Sequence, residues 1–467
     1  MDIGPFKPSV LSVLFISLIF STLFLLNIIY VIIFGAFFIA TILYLRNKYL
    51  FFFFLLLLVP MDRFYLPIFY KLKFYQIVFI GVALMELISI LVGKKRDFIV
   101  NWNLLDTSVL LIFLGRIASL SITIDYASSI KALILYAFFA LLYFYIRHMA
   151  VSIKPDTMVK FMIFSSLFFI GLGFIEFILG KLGLIASHTA EEIYIYGGRP
   201  QSVFREPDWF GGYLTFIIAL TIPFVGSEKC PGNIYRKNKI ILLLAIVMSL
   251  LIVVRSSWLG LLAGVLLIFV LSKKSKKIIL SSMGKLSVII TIFLIFLLVF
   301  SFSNFRSVQD RFFSTFVNIG HRDYDAAAQV RINSYSIILD YIYKKPIQGY
   351  GVGVWEFLSQ RHEHINPSLS TNNVLLTPVF EMGILGVILY LIFIIALFKM
   401  ILAGVKYAST EMSLRYAIGI AIAVVGTMIV SIFNDIMLTG FYWAFIAIFN
   451  NYVNSLKVEY ENITLST

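Results

Sequence analysis

Residues 239–271 read KIILLLAIVMSLLIVVRSSWLGLLAGVLLIFVL, and this stretch decides the class of fold. Beyond Lys239 it is apolar but for Ser249 until Arg255-Ser256-Ser257 interrupts it, and apolar again after that. A helix that crosses a bilayer needs ~20 such residues. The run is too long for one crossing and suits two, with the arginine at the turn between them. A helix that is apolar all round has no solvent face to offer, so the stretch belongs inside a membrane or a large core.

The same pattern fills the rest of the chain. A run from about 10 to 45 fits a tight pair of spans turning near Asn27 and shows no cleavage site of a signal peptide. Others lie at about 48–60, 74–93, 104–122, 128–148, 157–181, 208–225, 284–302, 376–398, 413–433 and 436–455. The expectation is an all-α, polytopic transmembrane bundle of about fourteen spans. Composition agrees, with 60% apolar and 13% charged residues in a chain of 467. An ordinary soluble domain carries about 25% charged residues. A soluble enzyme, a disordered protein and a disulfide-built secreted domain are excluded. The single cysteine, Cys230, cannot close an internal disulfide.

The net charge of +14 reads as membrane topology rather than as affinity for nucleic acid, because basic residues hold cytoplasmic loops inside. Basic residues cluster at Arg46/Lys48, at Lys94-Lys95-Arg96, and at Arg147/Lys154/Lys160. Further clusters lie at Lys229/Arg236/Lys237/Lys239, at 273–277 and at Lys399/Lys406/Arg415. With about fourteen spans all of these fall on one side, so both termini are expected in the cytoplasm. The other side then receives 61–73, 123–127, 182–207, the Arg255 turn, 303–375 and Asn434-Asp435. Loop 61–73 runs against the rule, since it carries Arg63, Lys71 and Lys73. The chain therefore divides into spans and the external loop 182–207 over 1–302, a large external loop over 303–375, and the last spans with a cytoplasmic tail over 376–467.

The large loop differs in kind from the short, lysine-rich cytoplasmic ones. Its charges nearly balance, and arginine is preferred to lysine. His188, His321, His362 and His364 also fall outside. A structureless loop of this length is unusual, so it is expected to fold and to work. Val330, Ile332, Tyr335, Ile337, Ile338 and Tyr341 predict an amphipathic helix over 324–343, ended by Pro346. Gly349-Tyr350-Gly351-Val352-Gly353 follows as a turn. It lacks the spacing, strand and location of a nucleotide-binding loop.

Four groups of residues are candidates for chemistry. Arg199, Arg205, Glu206 and Asp208 crowd the segment 198–210 just before a span, and arginine forks suit phosphate. Trp209 there is explained by an interfacial aromatic belt. Arg255 could merely snorkel to the headgroups, but it sits at a turn too short to need a charge, and an ionisable residue at the membrane boundary points to function. Arg331 lies in the predicted loop helix, with His362 and His364 beyond it as proton carriers at neutral pH. Asn372 and Asn373 stand at the mouth of a span, where asparagine often only caps. Glu381 lies about two turns inside, where a carboxylate needs a partner, and an external arginine is the expected one. Gly383 and Gly386 suit close helix packing. Glu86, Arg116 and Glu176 are further charges in apolar runs, either buried pairs or the lining of a path. His-x-His without a carboxylate at ligand spacing gives no metal site.

At these residues the chain resembles the O-antigen polymerase and O-antigen ligase superfamily. The likeness rests on Arg199 to Leu214, containing Glu206-Pro207-Asp208-Trp209-Phe210-Gly211-Gly212-Tyr213-Leu214. It continues in Arg255-Ser256-Ser257-Trp258-Leu259-Gly260, in Arg331 to Gly353, and in Asn372 to Gly386. Asn372 stands where the ligase pattern has histidine, which moves the reading toward polymerase. The resemblance implies a GT-C-like integral-membrane glycosyltransferase in a bacterial cytoplasmic membrane, working at its outer face without metal or cofactor. Its substrates would be glycans on undecaprenyl diphosphate held in membrane lipid, and a chain-length regulator is an expected further partner. Arg199, Arg205, Arg255, Arg331, Asn372, Asn373 and Glu381 are then expected to hold diphosphate and glycan. Arg255 would also act in catalysis, with Glu206 or His364 as general base. A lipid-linked oligosaccharide flippase and a non-catalytic assembly partner are the rival readings.

Overall fold

The computed structural model describes residues 46–66, 72–91, 101–182, 199–225, 232–271, 275–282, 326–362 and 371–466, with a few positions between 35 and 44. The chain divides into two units, Met1–Asp97 and Phe98–Thr467.

In the first unit, α1 (Lys48–Leu58) starts at Asn47, whose side chain accepts from the Tyr49 and Leu50 N–H groups. It ends ahead of Pro60, which cannot continue the ladder. Its 11 residues rise only ~16 Å, about half of a bilayer core, so the run at 48–60 is a short apolar helix by itself. Two short strands, β1 (Tyr65–Leu66) and β2 (Leu72–Lys73), pair antiparallel. α2 (Phe74–Leu91) follows directly. Lys73 lies 2.5 Å from Asp62, so one of the cations that ran against the inside rule is neutralised in place. The side chain of Glu86 lies outside the described residues.

The second unit holds α3 (Leu104–Ala118), α4 (Tyr126–Val151), α5 (Pro155–Lys181), α6 (Pro207–Thr221), α7 (Gly232–Ile252) and α8 (Arg255–Leu271). After these come α9 (Ala326–Lys344), α10 (Trp355–Ser359), α11 (Leu376–Met382), α12 (Ile384–Tyr407), α13 (Glu411–Phe433) and α14 (Gly440–Ser466). Five described helices are long and apolar enough to cross a membrane: Leu104–Ile122, Tyr126–Val151, Pro155–Gly180, Ile384–Tyr407 and Glu411–Phe433. This is a helical membrane protein. Most of the run at 10–45 and that at 284–302 lie outside the described residues.

Two expected boundaries move. The run 239–271 breaks at Val253, which takes φ 54°, so Arg255-Ser256-Ser257 is the first turn of α8 and not the turn between spans. The run 376–398 breaks at Gly383, where α11 ends and α12 begins with φ 58°. The helix predicted at 324–343 forms as α9. Its Ile338 is fully buried against Tyr350, Val354, Trp355, Leu358 and Phe380, whereas Ile332 is exposed.

Packing fixes α6 at the centre. Every residue from Trp209 to Thr221 is buried. Phe204 stacks on Phe210, and Phe204, Tyr213 and Phe216 meet Phe441 or Phe445 of α14 edge to face. α8 lies against α13 backbone to backbone. A Cβ at Gly264 would come within 2.6 Å of the Ile422 carbonyl oxygen, and one at Gly260 would collide with that of Gly426. Small residues four apart allow this close approach between apolar helices.

A second tie is polar. Arg147 of α4 is fully buried and donates to both oxygens of Asp106 on α3, at 2.9 Å each. Tyr143 and Asn450 also donate to that carboxylate, at 2.8 and 3.1 Å. With its hydrogen-bonding capacity filled, this pair joins α3, α4 and α14.

Candidate active site

Two polar layers form where the N-termini of α6 and α8 meet the C-terminal end of α13. The first is built on the segment before α6. Glu176, buried in α5, accepts from the backbone N–H groups of Gln201 (2.8 Å) and Ser202 (2.6 Å). Ser202 takes φ 56° and donates its hydroxyl to the Phe169 carbonyl at 2.8 Å. The segment carrying Arg199 is thereby fastened to a membrane helix.

Arg199 Nη1 donates to Asp208 Oδ1 at 3.1 Å. Arg331 Nη2, from α9, donates to Asp208 Oδ2 at 3.2 Å and to Asn434 Oδ1 at 3.0 Å. Asn434 passes the chain on, donating to Ser256 Oγ in the first turn of α8 at 3.2 Å. Asp208 sits in the first turn of α6 after Pro207, where the helix end favours negative charge. Two guanidiniums thus flank one carboxylate, a pairing of forks suited to a multiply charged anion. Tyr335 of α9 donates to the Ile432 carbonyl at 3.1 Å. Burial pushes its phenol above the ordinary range, partly offset by a hydrogen bond with Asn373 and by Arg331, so it stays a neutral donor.

The second layer centres on Glu381. Its carboxylate is paired with Arg116 of α3 at 3.1 Å and accepts the Gly353 N–H at 3.0 Å. The partner is an arginine inside the bundle and not the external one expected. Arg116 also lies over the Tyr136 ring at 3.5 Å. Gly349, Gly351 and Gly353 take φ 76°, 98° and 71°, conformations that side chains resist. This lets the turn lie flat on α11, where the Tyr350 and Gly351 N–H groups donate to the Phe380 and Glu381 carbonyls at 2.9 and 3.0 Å.

The structure therefore brings Arg199 and Arg331 together and places Ser256 beside them. Arg255, next in the chain to Ser256, is exposed, as is Arg205. Glu206 is half-buried immediately before α6. Asn372 is exposed with φ 54°. Asn373 is buried and caps α11, accepting from the Leu375 and Leu376 N–H groups at 2.8 and 3.1 Å. His362 bonds Tyr341 at 3.1 Å, and His364 lies outside the described residues. Sequence reading placed Asp208 in its first candidate group but did not single out Asn434 or Ser256. The available signal for Asn434 was a polar pair, Asn434-Asp435, set between two apolar runs.

An apolar cavity of ≈ 180 Å³ lies between α12 and α13, lined by Val374, Leu397, Ile401, Val425, Ile429 and Ile432 among others. One end reaches the polar layer. The Val374 N–H donates to the Ser431 carbonyl at 2.9 Å, and Ile432 is the residue that accepts from Tyr335.

Two arginines thus meet on one carboxylate at one end of an apolar helical bundle. Residues 240–391 match the family model described as O-antigen ligase, and this domain supports membership of the O-antigen polymerase and ligase superfamily. The match includes Arg255, Arg331, Asn372, Asn373 and Glu381; Arg199 and Asp208 precede it. No curated protein matches the chain.

Proposed function

We propose that the protein is a membrane glycosyltransferase that polymerises an O-antigen-type polysaccharide. It transfers the growing glycan from undecaprenyl diphosphate to a lipid-linked repeat unit at the outer face of the cytoplasmic membrane. The observation that supports this most is the gathering of Arg199 and Arg331 on one carboxylate beside an apolar groove. As the anomeric C–O bond breaks, its electron pair stays on the departing diphosphate. Fixed guanidiniums stabilise that growing charge without reorganising. The acceptor hydroxyl attacks the opposite face, which inverts the anomeric centre, and its proton passes to Glu206 or His364.

In this reading Arg255 and Arg205 stand at the rim, and Asn372, Asn373 and Glu381 shape the glycan side. The groove between α12 and α13 seats the isoprenoid. About fourteen spans place both termini in the cytoplasm. Loop 303–375 covers the sugars, and a chain-length regulator is the further partner. A second reading, transfer to a lipid A core, draws on the ligase description of the matched family; Asn372 in place of the histidine of the ligase pattern weighs against it.

The test is purified protein with lipid-linked repeat units alone, resolved on a gel. A ladder of products supports the polymerase. Products that form only after lipid A core is added support the ligase. Lipid movement across liposomes without glycan growth would instead make the protein a flippase.

A further inference from the structure

We infer that Asp208 is the resident counter-anion of the arginine pair and that the diphosphate of the lipid substrate takes its place on binding. The inference rests on the reading of that pair as a diphosphate site. Three observations carry it. Asp208 uses one oxygen for each guanidinium, Oδ1 for Arg199 and Oδ2 for Arg331, as a phosphoryl group bridging the two would do. The two arginines come from distant parts of the chain and would repel each other without an anion between them. And α6 is buried along its whole length below Asp208, so the carboxylate leaves the arginines by rotating its side chain while its backbone stays fixed.

Exposure supports the direction of exchange. The Asp208 side chain is 18% exposed and that of Arg331 is 39%, so Arg331 keeps a solvent-facing side through which an incoming anion gains it first. Asp208 then gives up both arginines to a ligand of higher charge. After transfer, the carboxylate competes for the same guanidiniums and helps expel undecaprenyl diphosphate, the spent carrier. Asp208 is thus a positioning residue that keeps the arginines gathered in the empty site and shortens the residence of product. No covalent step passes through it.

The test is the affinity of purified, membrane-embedded protein for farnesyl diphosphate, read alongside steady-state transfer. The Asp208 pairs are partly exposed and of modest strength, so removing the competing charge in Asp208→Asn is expected to tighten binding about fivefold. Transfer at saturating substrate is expected to fall, because product leaves more slowly. Asp208→Glu keeps the charge and is expected to bind within about twofold of wild type; it also serves as the comparison if Asp208→Asn folds poorly. Equal or weaker binding by a folded Asp208→Asn overturns the exchange, as does binding by Asp208→Glu as tight as a neutral variant is expected to show. If wild type does not bind the probe at all, the diphosphate reading falls and the exchange with it.

Discussion

Replacing Glu381 by glutamine tests whether the loop and the bundle are held together by one buried charge pair. Arg116 and Glu381 are 4% and 2% exposed and 3.1 Å apart. At an effective dielectric of about 20, unit charges at that distance attract by roughly 5 kcal/mol. Not all of this is lost. A glutamine oxygen still accepts a charge-assisted hydrogen bond from Arg116, worth about 2 kcal/mol. A loss of about 3 kcal/mol is expected, in the range for breaking a buried pair. The assay is unfolding of purified protein in detergent followed by tryptophan fluorescence, on wild type, Glu381→Gln, Arg116→Met and the double variant. Each single variant should lose about 3 kcal/mol and the double little more than either, giving a coupling of about 2 kcal/mol. Additivity within ~0.5 kcal/mol would refute the pairing as the tie between α3, α11 and the glycine turn.

Two other outcomes follow from the geometry. Gly353→Ala puts a Cβ into Ala132 and 2.8 Å from the Ser128 carbonyl oxygen at φ 71°; it should destabilise the protein by at least about 2 kcal/mol, measured in the same unfolding assay. Ile429→Trp fills the groove between α12 and α13; it should raise KM for the lipid-linked donor about tenfold with kcat retained, measured by initial rates.

Much of the membrane architecture was legible because apolar runs have one physical solution, a helix with its backbone satisfied internally. The amphipathic pattern of 324–343 likewise became α9, since a period near 3.6 can bury only one face. Helix breaks were less legible. Arg255 looked like the interruption of its run because it is charged, but the chain turns at Val253, whose apolar side chain gives no local sign of it. Partners across long sequence separations were not legible at all. Glu381 clearly needed a counter-charge, yet nothing local points to Arg116, 265 residues away. In the same way, the resemblance grouped Arg199 with Arg331 as diphosphate ligands, but their meeting at Asp208 depends on how α6 and α9 pack. Asn373 shows the opposite case. It was a candidate for substrate binding, and its side chain caps α11, the plainer role its position also allowed.

The central claim is that Arg199 and Arg331 together stabilise a leaving diphosphate. Its most direct test is single-turnover transfer from a lipid-linked repeat unit by wild type, Arg199→Ala and Arg331→Ala, each checked for folding by its unfolding transition. The account predicts that both variants fold and that each slows transfer by about a hundredfold or more. Two folded variants that transfer at the wild-type rate would contradict it.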